Sequence, residues 1–116
     1  MKLFILITGL VEILVGLTML IKPRLIPQYT KASSTAITTA RMYGAAAISI
    51  GIFALLVWDR FNNIILHNPF LIVFLVFHVL VALAVFISVK SGETKDSKVA
   101  ILHTILALAT AYFLWG

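Results

Sequence analysis

Four side chains able to carry a charge or a proton interrupt the four longest apolar runs of this sequence, one in each: Glu12, Arg41, His78 and His103. A carboxylate, a guanidinium and two imidazoles can together pair ions, relay protons or ligate a metal. Spacing narrows these options. There is no cysteine, which removes disulfides, thiolate metal sites and dithiol redox chemistry. A structural zinc site needs four ligands, and at most three are at hand, none at motif spacing. No Ser, His and Asp fall on a nucleophile elbow. A bis-histidine haem would need His78 and His103 at one level, and counting along their runs separates them by about 10 Å of depth. Proton transfer on a lipid-like substrate is left, with Glu12 or His78 as acid or base and Arg41 holding an anionic group. Nothing in the sequence selects such a substrate. The expectation is therefore no catalytic residue, no metal and no cofactor.

The surroundings of these groups set what they can do. The chain has 116 residues, 62% hydrophobic and 11% charged, with a mean hydropathy of +1.13. A soluble domain carries about 25% charged residues and under about 50% apolar ones. So small a domain buries too little of its surface to hide this much apolar side chain. The composition excludes a soluble globular enzyme and, at the other extreme, a disordered chain. The net charge of +5 does not point to nucleic acid, because the cations lie in short connectors and form no basic polar face.

The apolar runs are Leu3–Ile21, Ile37–Trp58, Phe70–Val89 and Val99–Trp115. Each is close to the ~20 residues that cross ~30 Å of hydrocarbon as a helix, and in lipid only a helix satisfies its own backbone. The expected architecture is all-α: a single transmembrane domain over residues 1–116, built as a four-helix bundle. Start signals precede three runs: Ser33-Ser34-Thr35, Asn68-Pro69 and Asp96-Ser97. The first run is too long for a signal-peptide core, contains Glu12 and ends in Lys22-Pro23-Arg24, so it is expected to be retained as a membrane helix.

Charge sets the expected orientation. Lys22, Arg24 and Lys31 in the first connector and Lys90, Lys95 and Lys98 around the third face Lys2 and Arg60 on the opposite side. The positive-inside rule puts the first and third connectors in the cytoplasm and both termini outside. Trp58 and Trp115 then fall at the outer boundary, as interfacial aromatics do. The second connector, with Ile64-Ile65-Leu66, is expected to lie along the outer interface, and Leu25-Ile26-Pro27 along the inner one.

At 1.5 Å per residue Glu12 lies about 14 Å and His78 about 16 Å from the inner boundary, near the midplane, while Arg41 and His103 lie about 6 Å in. At 100° per residue Glu12 shares a face with Thr8, Gly9, Gly16 and Met19, and Arg41 with Gly44, Ile48, Gly51 and Leu55. His78 shares one with Phe74, Ala82 and Val85, and His103 with Ala107, Thr110 and Leu114. Gly9/Gly16 and Gly44/Gly51 repeat at seven residues, the spacing of a close-packed seam between membrane helices. Each ionisable group has a plainer alternative. Arg41 can snorkel to headgroups and His103 titrate at the interface; His78 can sit neutral on a neighbour's backbone or hydroxyl. Glu12 at the midplane must be protonated, paired or facing water.

Two families resemble parts of this chain. EILVGLTMLIK, from Glu12 to Lys22, is similar to the glutamate helix of the small multidrug resistance transporters, where the carboxylate exchanges protons for a cationic drug. The other spans lack that family's Tyr, Trp and Gly motifs, and Arg41, His78 and His103 have no counterpart in it. ITGLVEILVGLTMLIKP (Ile7–Pro23) followed by ARMYGAAAISIGIFALL (Ala40–Leu56) resembles the small DoxX-like four-helix membrane proteins. That group includes, more distantly, a receptor-assembly chaperone of animal cells. The shared positions are Gly9, Glu12, Gly16, Arg41 and Gly44, and the resemblance implies an architecture rather than a reaction.

The expected function is binding of a lipid-like ligand or a partner membrane protein by a polar cluster of Glu12, Arg41, His78 and His103. The alternatives are a proton-coupled transporter using Glu12 and an accessory subunit of a larger membrane complex. Expected partners are membrane lipids, a partner membrane protein or a second copy of the chain, and no nucleic acid.

Overall fold

Apolar residues dominate every long run, and the runs are separated by connectors that carry proline, serine, asparagine or glycine. The computed structural model describes residues 1–60 and 62–116. The described residues form four α-helices: α1 (Lys2–Ile21), α2 (Ser34–Asp59), α3 (Ile64–Lys90) and α4 (Lys98–Trp115). Single 3-10 turns at Pro23–Leu25 and Pro27–Tyr29 join α1 to α2. The fold is all-α, and all four helices are long and apolar enough to cross a membrane. Their outward residues agree with that: Leu3, Leu14, Leu56, Leu80, Ile87 and Leu108 are among many large apolar side chains left exposed, an arrangement suited to lipid and costly in water.

The chain divides into two compact units, Met1–Phe61 and Asn62–Gly116. In the first, α1 stops because Pro23 cannot continue it, and the Lys22 N–H closes the last turn on the Thr18 carbonyl at 2.9 Å. Ser33 caps α2, its hydroxyl accepting from the Ala36 N–H at 3.2 Å. The two helices run antiparallel, with Gly9 opposite Gly51 and Gly16 opposite Gly44. A Cβ added at Gly16 would stand 2.6 Å from the Gly44 carbonyl oxygen, and one at Gly51 2.6 Å from that of Gly9. Only glycine permits backbones this close. At the far end of this hairpin the Lys2 ammonium sits 5.3 Å from the centre of the Trp58 ring.

In the second unit α3 opens at Ile64, where the Asn63 side chain accepts from the Ile65 N–H at 3.1 Å. Asn68-Pro69, expected from the sequence to open this span, lies inside the helix. Pro69 is only the sixth helical residue, so its missing N–H costs a single bond, to the Ile65 carbonyl, and the asparagine upstream supplies an earlier cap. The second connector is correspondingly shorter than expected. Within it, Phe61 and the Ile64 side chain lie outside the described residues. α3 ends in a Schellman motif: Glu93 N–H bonds the Ser88 carbonyl at 2.9 Å, Gly92 N–H bonds that of Val89 at 3.1 Å, and Gly92 takes φ +78°. The chain then enters α4 through Asp96, whose carboxylate accepts from the Lys98 N–H at 2.9 Å.

Candidate functional site

On α3 the residues Phe70, Phe74 and His78 recur at four-residue steps and so share one face. Phe70 and Phe74 stack at 5.0 Å between centroids, and Phe74 presents itself edge-on to the His78 ring at 4.3 Å. Phe77 also lies edge-on to the same imidazole, at 5.3 Å. On α4 the buried residues are Ala100, His103, Ala107 and Thr110, small or polar groups that leave room for a facing ring. The two faces bring His78 Nδ1 to 2.8 Å from His103 Nδ1. His78 is fully buried and His103 is 5% exposed.

A 2.8 Å contact between two ring nitrogens requires one proton between them. One imidazole therefore donates from Nδ1 while the other presents its Nδ1 lone pair, and the neutral rings take opposite tautomers. The far nitrogens are then unlike, one a donor and one an acceptor. His78 Nε2 is buried and lacks a hydrogen-bond partner among the described residues. Two neutral tautomers with one proton in play make a group that can pass a proton, or offer either a donor or an acceptor to a ligand.

This contact corrects the depth estimate, which set the two histidines about 10 Å apart. His78 precedes the end of α3 by twelve residues and His103 follows the start of α4 by five. The seven extra residues on α3 amount to roughly 10 Å of rise. The 2.8 Å contact therefore means that the two helix ends are staggered by about that much. A ruler laid from two helix ends fails when the ends are staggered.

In the first unit Glu12 is 4% exposed, on a buried face of α1 that also holds Ile5, Thr8, Gly9, Gly16 and Met19. The Tyr43 phenol of α2 lies within electrostatic reach of both Glu12 and Tyr29. Tyr43 was not singled out from the sequence. The only available hint was its position one residue before Gly44, beside the close seam.

Arg41 occupies a different setting from Glu12. The buried stripe of α2 is Ile37, Ala40, Gly44, Ala47, Gly51, Ala54 and Val57, whereas Arg41 is exposed. The glycine seam explains this: α2 turns its smallest residues to α1, which rotates the face expected for Arg41, Ile48 and Leu55 off centre. Arg41 instead borders a cavity at the end of the hairpin, together with Lys22 and Arg24. Within the second unit His78 and His103 meet, and within the first Glu12 is buried on α1 while Arg41 is exposed on α2. No family model, curated protein or solved structure matches this chain.

Proposed function

We propose that this is an integral membrane protein that binds a lipid-like ligand without transforming it. Glu12 and Arg41 of the first unit, with the His78–His103 pair of the second, are the groups assigned to binding. The observation that carries this reading is the buried His78 Nε2, a polar atom in an aromatic setting with no partner among the described residues. Buried polar atoms in stable proteins are almost always satisfied. A hydroxyl on an apolar ligand would complete either tautomer, since it both donates and accepts. In the proposed orientation both termini face outward and the first and third connectors face the cytoplasm. The DoxX-like resemblance belongs to the same proposal, as an architecture compatible with binding rather than with a particular reaction.

Native mass spectrometry of protein taken directly from membranes tests the reading. The wild type should carry an apolar small-molecule adduct, and His78→Phe should lower its occupancy by about tenfold, the ~1.4 kcal/mol of a buried hydrogen bond. Retention unchanged in His78→Phe, Glu12→Gln and Arg41→Ala alike would refute it. The burial of Glu12 favours a second reading, proton-coupled transport. Uptake into liposomes that is driven by a pH gradient and abolished by Glu12→Gln would install that reading in place of the first. Copurification with a large partner, and instability without it, would instead make the chain an accessory subunit.

A further inference from the structure

Pro23 and Pro27 force the chain to leave α1 through two short turns before α2 begins at Ser34. The corner they make frames an open, shallow cavity of about 330 Å³, at the lower end of the range for small-molecule pockets. Its lining divides by chemistry: Lys22, Arg24 and Arg41 bring three cations, and Ile21, Leu25 and Ile37 an apolar wall. Among the described residues no acidic side chain lines it. Ile37 and Arg41 are four residues apart and so lie on one side of α2. Arg24 is held in place by the turn itself, donating from Nη1 to the Thr30 carbonyl at 3.1 Å and from Nη2 to that of Ala32 at 3.5 Å. A guanidinium has five N–H donors, so Arg24 keeps others for a ligand. No hydrogen bond or ion pair engages the Arg41 guanidinium among the described residues. The end of α1 contributes about half a negative charge through its last carbonyls, well below what three cations supply.

We propose that this corner binds the phosphate of an anionic phospholipid. Arg41 and Lys22 hold the phosphate oxygens, Arg24 braces the turn beside them, and the acyl chain runs along Ile21, Leu25 and Ile37. Guanidinium groups match phosphate through paired N–H donors, and the apolar wall is what separates a lipid from a free anion. The inference names a ligand class for Arg41 and so deepens the binding reading above. It depends on Lys22 and Arg24, which play no part in the His78 site, so the two can fail separately.

Full-length protein in an uncharged detergent is titrated with dioleoyl phosphatidylglycerol, dioleoyl phosphatidylcholine and inorganic phosphate, and bound species are counted by native mass spectrometry. The wild type should prefer phosphatidylglycerol over phosphatidylcholine by at least about tenfold. Lys22→Gln and Arg41→Gln should each erase about fivefold of that preference, the effect of one basic residue near a membrane surface. Lys31→Gln removes an exposed cation of the same connector that does not line the cavity, and should preserve the preference. Equal binding of both lipids, or an equal loss in Lys31→Gln and Arg41→Gln, would overturn the site. Displacement of phosphatidylglycerol by an equal concentration of inorganic phosphate would overturn the lipid as its source.

Discussion

The His78–His103 contact is a hydrogen bond in surroundings where a lone imidazole nitrogen has no water to turn to. Removing one partner therefore leaves the other's polar atom buried and unsatisfied. His78→Leu or His103→Leu alone strands the other Nδ1 and should destabilise the protein by about 1–3 kcal/mol. The double variant should cost less than the sum of the singles. The coupling should lie near the ~0.6 kcal/mol average for membrane hydrogen bonds and below their ~1.7 kcal/mol maximum, read from denaturant unfolding in detergent. Strict additivity would show that the two rings do not share a proton. The existence of the four ionisable groups was plain from the sequence, because charge stands out in apolar runs. Which of them meet was not, since partnership depends on the stagger of helix ends and on helix rotation, and neither is encoded locally. Arg41 shows the second effect: it is one residue from buried Ala40, and that single step carries it from the packed stripe to the cavity rim.

Elements were more legible than partnerships. The inward face of α1, from Thr8 through Glu12 to Met19, follows directly from 100° per residue, and the buried stripe of α4 contains the expected His103, Ala107 and Thr110. The start of α3 was misread because proline is a strong signal and the weaker Asn63 cap lies upstream of it. The glycines permit a sharper test. Alanine in an exposed helix stabilises relative to glycine by about 1 kcal/mol. At Gly16 the added Cβ would meet backbone atoms, the Gly44 carbonyl oxygen at 2.6 Å and the Ile48 nitrogen at 2.9 Å, neither of which can swing aside. Gly16→Ala should therefore destabilise by about 1–3 kcal/mol, seen as a lower Tm in detergent. A gain would mean that the helices part without penalty. At the start of α2, Ser33→Ala removes the cap bond to the Ala36 N–H and should cost about 1 kcal/mol. Amide hydrogen exchange should quicken in the first turn of α2 while the Gly44–Gly51 stretch stays unchanged.

For the whole molecule, orientation in the bilayer is a matter of counted charges rather than of packing. Six cations, from Lys22, Arg24 and Lys31 to Lys90, Lys95 and Lys98, stand against Lys2 and Arg60. Glu93 and Asp96 do not offset them, because acids weigh little in the rule. Each hairpin turns through a Lys-bearing connector, so both hairpins vote for the same orientation. The complete lack of cysteine makes the test direct, since any introduced thiol is the only one present. Lys31→Cys and Lys95→Cys should resist a membrane-impermeant maleimide in intact cells and react once the membrane is permeabilised. Asn62→Cys, between α2 and α3, should react from outside at once. The reverse pattern would invert the molecule and place the Lys22, Arg24 and Arg41 corner on the outer leaflet. Labelling of all three sites at similar fractions from outside would mean that the charge bias does not select an orientation. Neutralising Lys90, Lys95 and Lys98 together to glutamine reduces the bias from six against two to three against two, and should produce a measurable inverted fraction at Asn62→Cys. The same change at Lys2 and Arg60 should produce none, because it strengthens the bias already present.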